Sequence, residues 1–267
     1  MLDFSKIGDI FINNYKLLLA GIISTIILSV FGTVVGLFLG IFIAYGKNIK
    51  TKPTTPVIKR VGLNVIKWLC QIYSVVLRGT PMMVQALIFK YGCAAFGLNW
   101  DNVRFPSVIS DVFNGWFFAG LIVITFNTAA YMSEIVQSGL NGVDMGQVEG
   151  ARSLGMNNAD TSFFVVLPQA IRNALPTIGN ELIVNIKDSS VLNVIATTEF
   201  FYRMKTISTA SYAFLEGYFV LAVIYLIMTL IAAGVLKLIE KKLDGQKISL
   251  NPFARFKRGL FAWVKQY

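Results

Sequence analysis

Long apolar runs decide what this chain can fold into. Residues 17–45, 68–89, 116–124 and onward, and 213–236 are each almost free of charge. A helix crossing roughly 30 Å of hydrocarbon needs about 20 such residues. Lipid offers no partner for a bare N–H or C=O, so a segment that crosses it must bond its own backbone as a helix. Composition agrees: 55% of the 267 residues are hydrophobic, 14% are charged, and the mean hydropathy is +0.64. One soluble core could not hide so much apolar surface. The expected fold is an all-α membrane protein of about five transmembrane helices, the fourth and least clean lying within residues 163–196.

The first run is too long, and too closely followed by others, to be a cleaved leader, and is expected to be a retained helix. Cys70 and Cys93 sit in or beside apolar sequence and form no disulfide framework. The chain contains no histidine, which removes imidazole metal ligands and a Ser-His-Asp triad together.

The formal net charge of +10 points to orientation rather than to nucleic acid. Lys47, Lys50, Lys52, Lys59, Arg60 and Lys67 crowd the connection after the first run with no acid among them, and Lys237, Lys241, Lys242, Lys247, Arg255, Lys257, Arg258 and Lys265 follow the last run. Both regions should face the cytoplasm. An odd number of crossings with the N-terminus outside and the C-terminus cytoplasmic satisfies both. Residues 92–115 then face outward and residues 138–160 inward.

Four local features stand out. Gly32, Gly36 and Gly40 share one face of the first helix, a spacing that lets another helix approach closely, within this chain or from another subunit. In Arg78-Gly79-Thr80-Pro81 a proline and a glycine predict a kink or break, and an arginine near membrane depth costs roughly 2.5–3.5 kcal/mol unless it snorkels or is paired. Glu134, within or just below the third run, needs a hydrogen bond or a cation, and Arg78 is the candidate partner. Between the third and fourth runs, Asp144 is placed to cap a short helix from Gln147 to Leu154, and Gly155 suits the left-handed residue that ends it. Asn157, Asn158 and Asp160 cap the next helix, in which Pro168 and Pro176 are expected kinks. The result is a small capped peg on the cytoplasmic face.

At the peg the chain resembles the transmembrane permease subunit of a binding-protein-dependent ATP-binding-cassette (ABC) importer with the type I fold, in the polar amino acid uptake family. That family's signature, Glu-Ala-Ala, then a glycine, then Leu-Pro, reads here as Glu149-Gly150-Ala151, Gly155 and Leu167-Pro168. The middle alanine is replaced by Gly150. Three further blocks match in order: Arg78-Gly79-Thr80-Pro81 with Gln85, Ala130-Tyr131 with Glu134, and Lys187-Asp188-Ser189-Ser190, the third following Leu167-Pro168-Gln169-Ala170.

The resemblance implies that residues 1–245 form the importer's transmembrane domain. It implies that Glu149, Gly150, Ala151, Leu154 and Gly155 dock in an ATPase subunit and couple its closure to alternating access. Its partners would be a dimer of ABC ATPases, a second permease that is a copy or a relative, an extracellular or periplasmic amino-acid-binding protein and the amino acid itself. The setting would be a prokaryotic plasma membrane. ATP and Mg would belong to the ATPase, and this chain, which has no Gly-x-x-x-x-Gly-Lys-Ser/Thr phosphate loop, would carry no cofactor and be no enzyme.

A zwitterionic substrate wants charges of both signs, so Arg78, Gln85, Glu134, Lys187, Asp188 and Glu216 are the candidate path residues. Residues 246–267 read as a basic amphipathic cytoplasmic tail. An intramembrane hydrolase lacks a nucleophile-base cluster, whereas an ion-coupled or passive transporter of small polar solutes is the alternative that would not use the peg.

Overall fold

The computed structural model describes residues 3–49, 51, 56–103, 106 and 112–243, so the basic tail lies outside the described residues. Among the described residues every regular element is helical. Helix α1 (Phe4–Lys47) starts where the Asp3 side chain accepts from the Ser5 N–H. Its helical angles fail once, at Asn14 (φ −126°, ψ 15°), whose amide donates 3.2 Å to the Ile10 carbonyl. A side chain that competes for the backbone in this way bends a helix. The remaining stretch runs against α4 (Gly115–Asn141).

Contact between α1 and α4 is set by the small-residue face. A Cβ added at Gly32 would meet Ile124, one at Gly36 would meet Thr128, and one at Gly40 would lie 2.5 Å from the Met132 Cβ. Both helices advance by four residues per contact, so one ridge of α4 lies in the groove that the glycines open. The small-residue face is therefore spent inside this chain.

Helix α2 (Val57–Gly79) begins earlier than the apolar run suggests. Lys59, Arg60 and Lys67, expected in a connecting loop, are helical, because amphipathic sequence continues the helix beyond its apolar part. At Pro81 the chain turns by 111° into α3 (Met82–Ala95), which is the expected break.

Beyond α4 come the short helix α5 (Met145–Ser153) and the single turn α6 (Asn158–Asp160). A π-helical stretch, Thr161–Val166, leads into α7 (Leu167–Asp188). Pro168 is the second residue of α7, directly after the π-helical stretch, and Pro176 lies inside. A 3₁₀ segment, Ser189–Ile195, then leads to α8 (Phe200–Ser211) and α9 (Phe214–Leu243).

Among the described residues three helices are long and apolar enough to cross a membrane, α1, α4 and α9, and the bent pair α2 and α3 makes a fourth if counted as one span. Helix α7 lies where the least clean crossing was expected, and Arg172, Asn173, Asn180 and Glu181 dilute its apolar character. It is tied in by Asn185, which is buried; its amide donates to Thr33 of α1 at 2.9 Å, and its carbonyl accepts from Thr128 of α4 at 3.1 Å. One apolar core, with Leu18, Phe200, Met204 and Val220, joins α1, α8 and α9; another, with Ala86, Ile124, Leu192 and Ile195, joins α3, α4 and the 3₁₀ segment. Outward-facing residues such as Phe38, Phe42, Leu226 and Leu230 are exposed, as lipid contact requires.

Candidate functional site

The peg is α5, and its geometry follows from its ends. Asp144 Oδ1 accepts from the Gly146 N–H at 2.9 Å, meeting one of the orphan donors of the first turn. At the other end Gly155 adopts φ 85°, its N–H donates to the Arg152 carbonyl at 3.0 Å, and the Met156 N–H reaches back to the Ala151 carbonyl at 3.2 Å. This paired pattern closes a helix whose next residue is left-handed. Ala151 is buried and anchors the peg, while Glu149, Gly150, Arg152, Leu154 and Gly155 are exposed. Leu154, which follows the last residue of α5, is 86% exposed. Nothing lies within 4 Å of a Cβ built on Gly150, so that position is open for contact.

A second cluster gathers where α1, α2 and α4 meet. Arg78 Nη1 lies 2.9 Å from Glu134 Oε1, the expected partnership. The same oxygen accepts from Ser74 at 3.1 Å and is ion-paired with Lys47, which is the last residue of α1 rather than part of a connecting loop. Lys47 also reaches Ser74 at 3.4 Å, and Ser74 meets Ser133 at 3.2 Å. The Arg78 guanidinium lies 5.9 Å from the Tyr131 ring centroid. Arg78 occupies the last turn of α2, where a cation also complements the helix dipole. Both charged partners are more than one-third exposed on their side chains, so the cluster is reachable by water.

Gln85 is committed elsewhere. Pro81 has no N–H for the Leu77 carbonyl four residues back, and the Gln85 amide donates to that carbonyl instead at 2.8 Å. It also donates to Thr80, to the carbonyl and the hydroxyl at 2.9 Å each, and its own carbonyl accepts from Asn127 of α4 at 2.9 Å. The side chain thus repairs the break and moors it to α4. Behind it lies a cavity of about 450 Å³ whose lining, including Ile72, Val76, Phe89 and Val123, is nearly all apolar and ill-suited to a charged solute.

The remaining path candidates are scattered. Lys187 and Asp188 end α7, exposed, with no side-chain bond to any described residue. Glu216 is buried near the start of α9 and accepts from the Asp3 backbone N–H at 3.2 Å, which links it to the N-terminus. Sequence reasoning missed Glu199, which caps α8. Its carboxylate is fully buried and accepts from the Phe201 and Tyr202 N–H groups at 2.7 Å and from the Tyr225 hydroxyl at 2.9 Å. Burial pushes this carboxyl up from 4.5 to about 7, against the pull of its donors. Its only sequence signal was an acid one residue before a helix start.

Residues 60–245 match the family described as "Binding-protein-dependent transport system inner membrane component". The chain is similar to the arginine transport system permease protein ArtQ of Bacillus subtilis, with 30% identity over 91% of this chain and 97% of that protein. It is 31% identical to the nopaline transport system permease protein NocM of Agrobacterium fabrum, over 87% of this chain and 90% of the relative. The crystal structure of an amino acid ABC transporter with histidines aligns at a TM-score of 0.73 and 34% identity, covering 91% of this chain and 99% of that one. An inward-facing structure of the MetNI methionine ABC transporter shares the fold, with a TM-score of 0.63 and 14% identity over 85% of this chain and 96% of that one.

Proposed function

The chain belongs to the family of binding-protein-dependent transport system inner membrane components, and from that premise we propose that it is the permease subunit of an ATP-driven amino acid importer. The observation that carries the reading is α5: a peg capped at both ends, anchored by Ala151, that offers Glu149, Gly150 and Leu154 to solvent. Two copies of a nucleotide-binding subunit supply the energy. Their closure pulls the pegs, and α7, which follows the peg through the Thr161–Val166 stretch, carries the movement into the membrane. Five crossings, counting α7, put the peg and the C-terminus in the cytoplasm and the N-terminus outside. Residues 1–245 act as the transmembrane domain and residues 246–267 as a basic tail against the inner leaflet of a prokaryotic plasma membrane.

Delivery falls to an external amino-acid-binding protein, and a second permease subunit completes the path. Relatives named for arginine, nopaline and glutamine transport support a solute with an amino acid headgroup. Within this chain, exposed Lys187 and Asp188 present opposite charges for a carboxylate and an ammonium. The Arg78–Glu134 pair opens toward the same kind of solute, while Gln85 holds the neighbouring helix break in place and Glu216 ties the start of α9 to the N-terminus.

The test is co-purification with the partner ATPase, followed by uptake. Glu149→Lys should abolish coupling while leaving the permease folded. A chain that never binds an ATPase, or one that transports normally with this substitution, refutes the proposal.

A further inference from the structure

Helix α2 carries a polar stripe that neither the peg nor the ion cluster accounts for. Arg60, Asn64, Lys67, Gln71, Ser74 and Arg78 follow one another in alternating steps of four and three residues. At about 100° per residue these six side chains fall within an arc of about 80°. From Val61 to Gly79 every other position is apolar or glycine except Tyr73.

The three faces of the helix have different neighbours. Ile66 and Cys70 pack on Gly46 of α1, and the Tyr73 hydroxyl donates to the Phe126 carbonyl of α4 at 2.6 Å. Val65, Leu69 and Val76 lie on the opposite side, about half exposed, and suit lipid or a companion helix. On the stripe, Asn64, Lys67 and Gln71 are exposed and make no side-chain bond to any described residue. Ser74 and Arg78 continue the same line into the Glu134 cluster.

Lipid cannot cover a row of amides and cations, and each such group left in hydrocarbon costs free energy. A helix lying flat on the membrane would turn its polar face away from the bundle. Here the stripe runs into a buried serine that bonds Ser133 and Glu134 of α4, so it leads inward. It also holds three cations and no acid.

We propose that the α2 stripe lines the inner half of the water-filled path, with Lys67 facing a carboxylate-bearing solute on its way to the cytoplasm. This rests on the transport reading above and adds the surface along which the solute leaves.

The experiment uses the assembled transporter in proteoliposomes with the ATPase side outward, the binding protein and a stimulating amino acid inside, and Cys70 and Cys93 replaced by alanine. Single cysteines go at Asn64, Lys67 and Gln71, and at Val65, Leu69 and Val76. Each is exposed to a membrane-impermeant, negatively charged maleimide. The stripe positions should label on the order of tenfold faster than the apolar positions, since thiolate reactivity follows access to water. Labelling them should also block ATP-driven release. Separately, Lys67→Glu should slow release several-fold, and release at the native rate would overturn the solute-facing role of Lys67.

Equal labelling of both faces overturns the proposal. So does fast labelling of the stripe that leaves release intact, because that outcome makes α2 a surface helix with its polar side in the cytosol. Release by the Cys70 and Cys93 alanine background, before any cysteine is added, reports the transport reading by itself: a background that never transports counts against that reading, not against the position of the stripe.

Discussion

Removing the Gln85 amide should loosen the turn between α2 and α3. Three of its contacts satisfy carbonyl or hydroxyl oxygens at the break and the fourth accepts from Asn127. Those to Thr80 are exposed, so water replaces them at little cost. The bonds to the Leu77 carbonyl and from Asn127 are partly buried, and each orphaned group there should cost about 1–3 kcal/mol before discount for partial exposure. Gln85→Met keeps the length of the side chain and loses both, which predicts a loss of about 2–3 kcal/mol. Gln85→Glu still accepts from Asn127 but sets a carboxylate against two carbonyls, so it should be the worse of the two. Thermal unfolding of the purified complex in detergent measures both, with uptake recorded in parallel. A Glu variant as stable as the native protein, or a Met variant within about 0.5 kcal/mol of it, the usual span of an innocuous surface change, would refute the bridge.

Gly40→Ala should destabilise by about 1–3 kcal/mol, because its Cβ would fall 2.5 Å from the Met132 Cβ and 2.9 Å from backbone, whereas Gly62→Ala, with nothing within 4 Å, should not; thermal unfolding compares them. At the peg, Gly155→Ala should cost about 1–2 kcal/mol for its left-handed backbone at φ 85°. Gly150→Ala, in open space, should gain up to about 1 kcal/mol of helix stability, and the same measurement should give the two opposite signs. For Glu199, a carboxyl raised to about 7 takes up a proton on folding, so its contribution is complete below 4.5 and is lost as pH rises through about 7. Unfolding temperature should therefore fall from about pH 5 to about pH 8, and Glu199→Gln should flatten that slope; an unchanged slope would assign the pH dependence elsewhere.

Features that depend on neighbours in the chain were legible from the residues. The break follows from Pro81, the peg from Asp144 and Gly155, and the Arg78–Glu134 pair from the cost of two unpaired charges among apolar runs. Apart from that pair, which joins α2 to α4, features that depend on which helices meet were not. Lys47 reads as one of six loop cations until α1 is known to end beside Ser74, and Gln85 reads as a path residue until its amide is seen on the Leu77 carbonyl. Asn185 bonds to helices distant in sequence, and Glu199, a local cap, gains its tie to Tyr225 only when α8 meets α9, so no local pattern announces either link. The α2 stripe was hidden for a different reason: its basic residues were counted for orientation, which reads charge and ignores angle.

The matched family segment starts at residue 60, whereas Gly32, Gly36, Gly40 and Lys47 all precede it. Those four positions cover the Ile124, Thr128 and Met132 ridge of α4 and neutralise part of the charge at Glu134. A fragment cut to the matched borders would bare that ridge and strip the acid of one of its two counter-ions. The matched segment alone thus lacks packing partners that α1 supplies, and truncation for expression or fusion should spare everything back to Asp3.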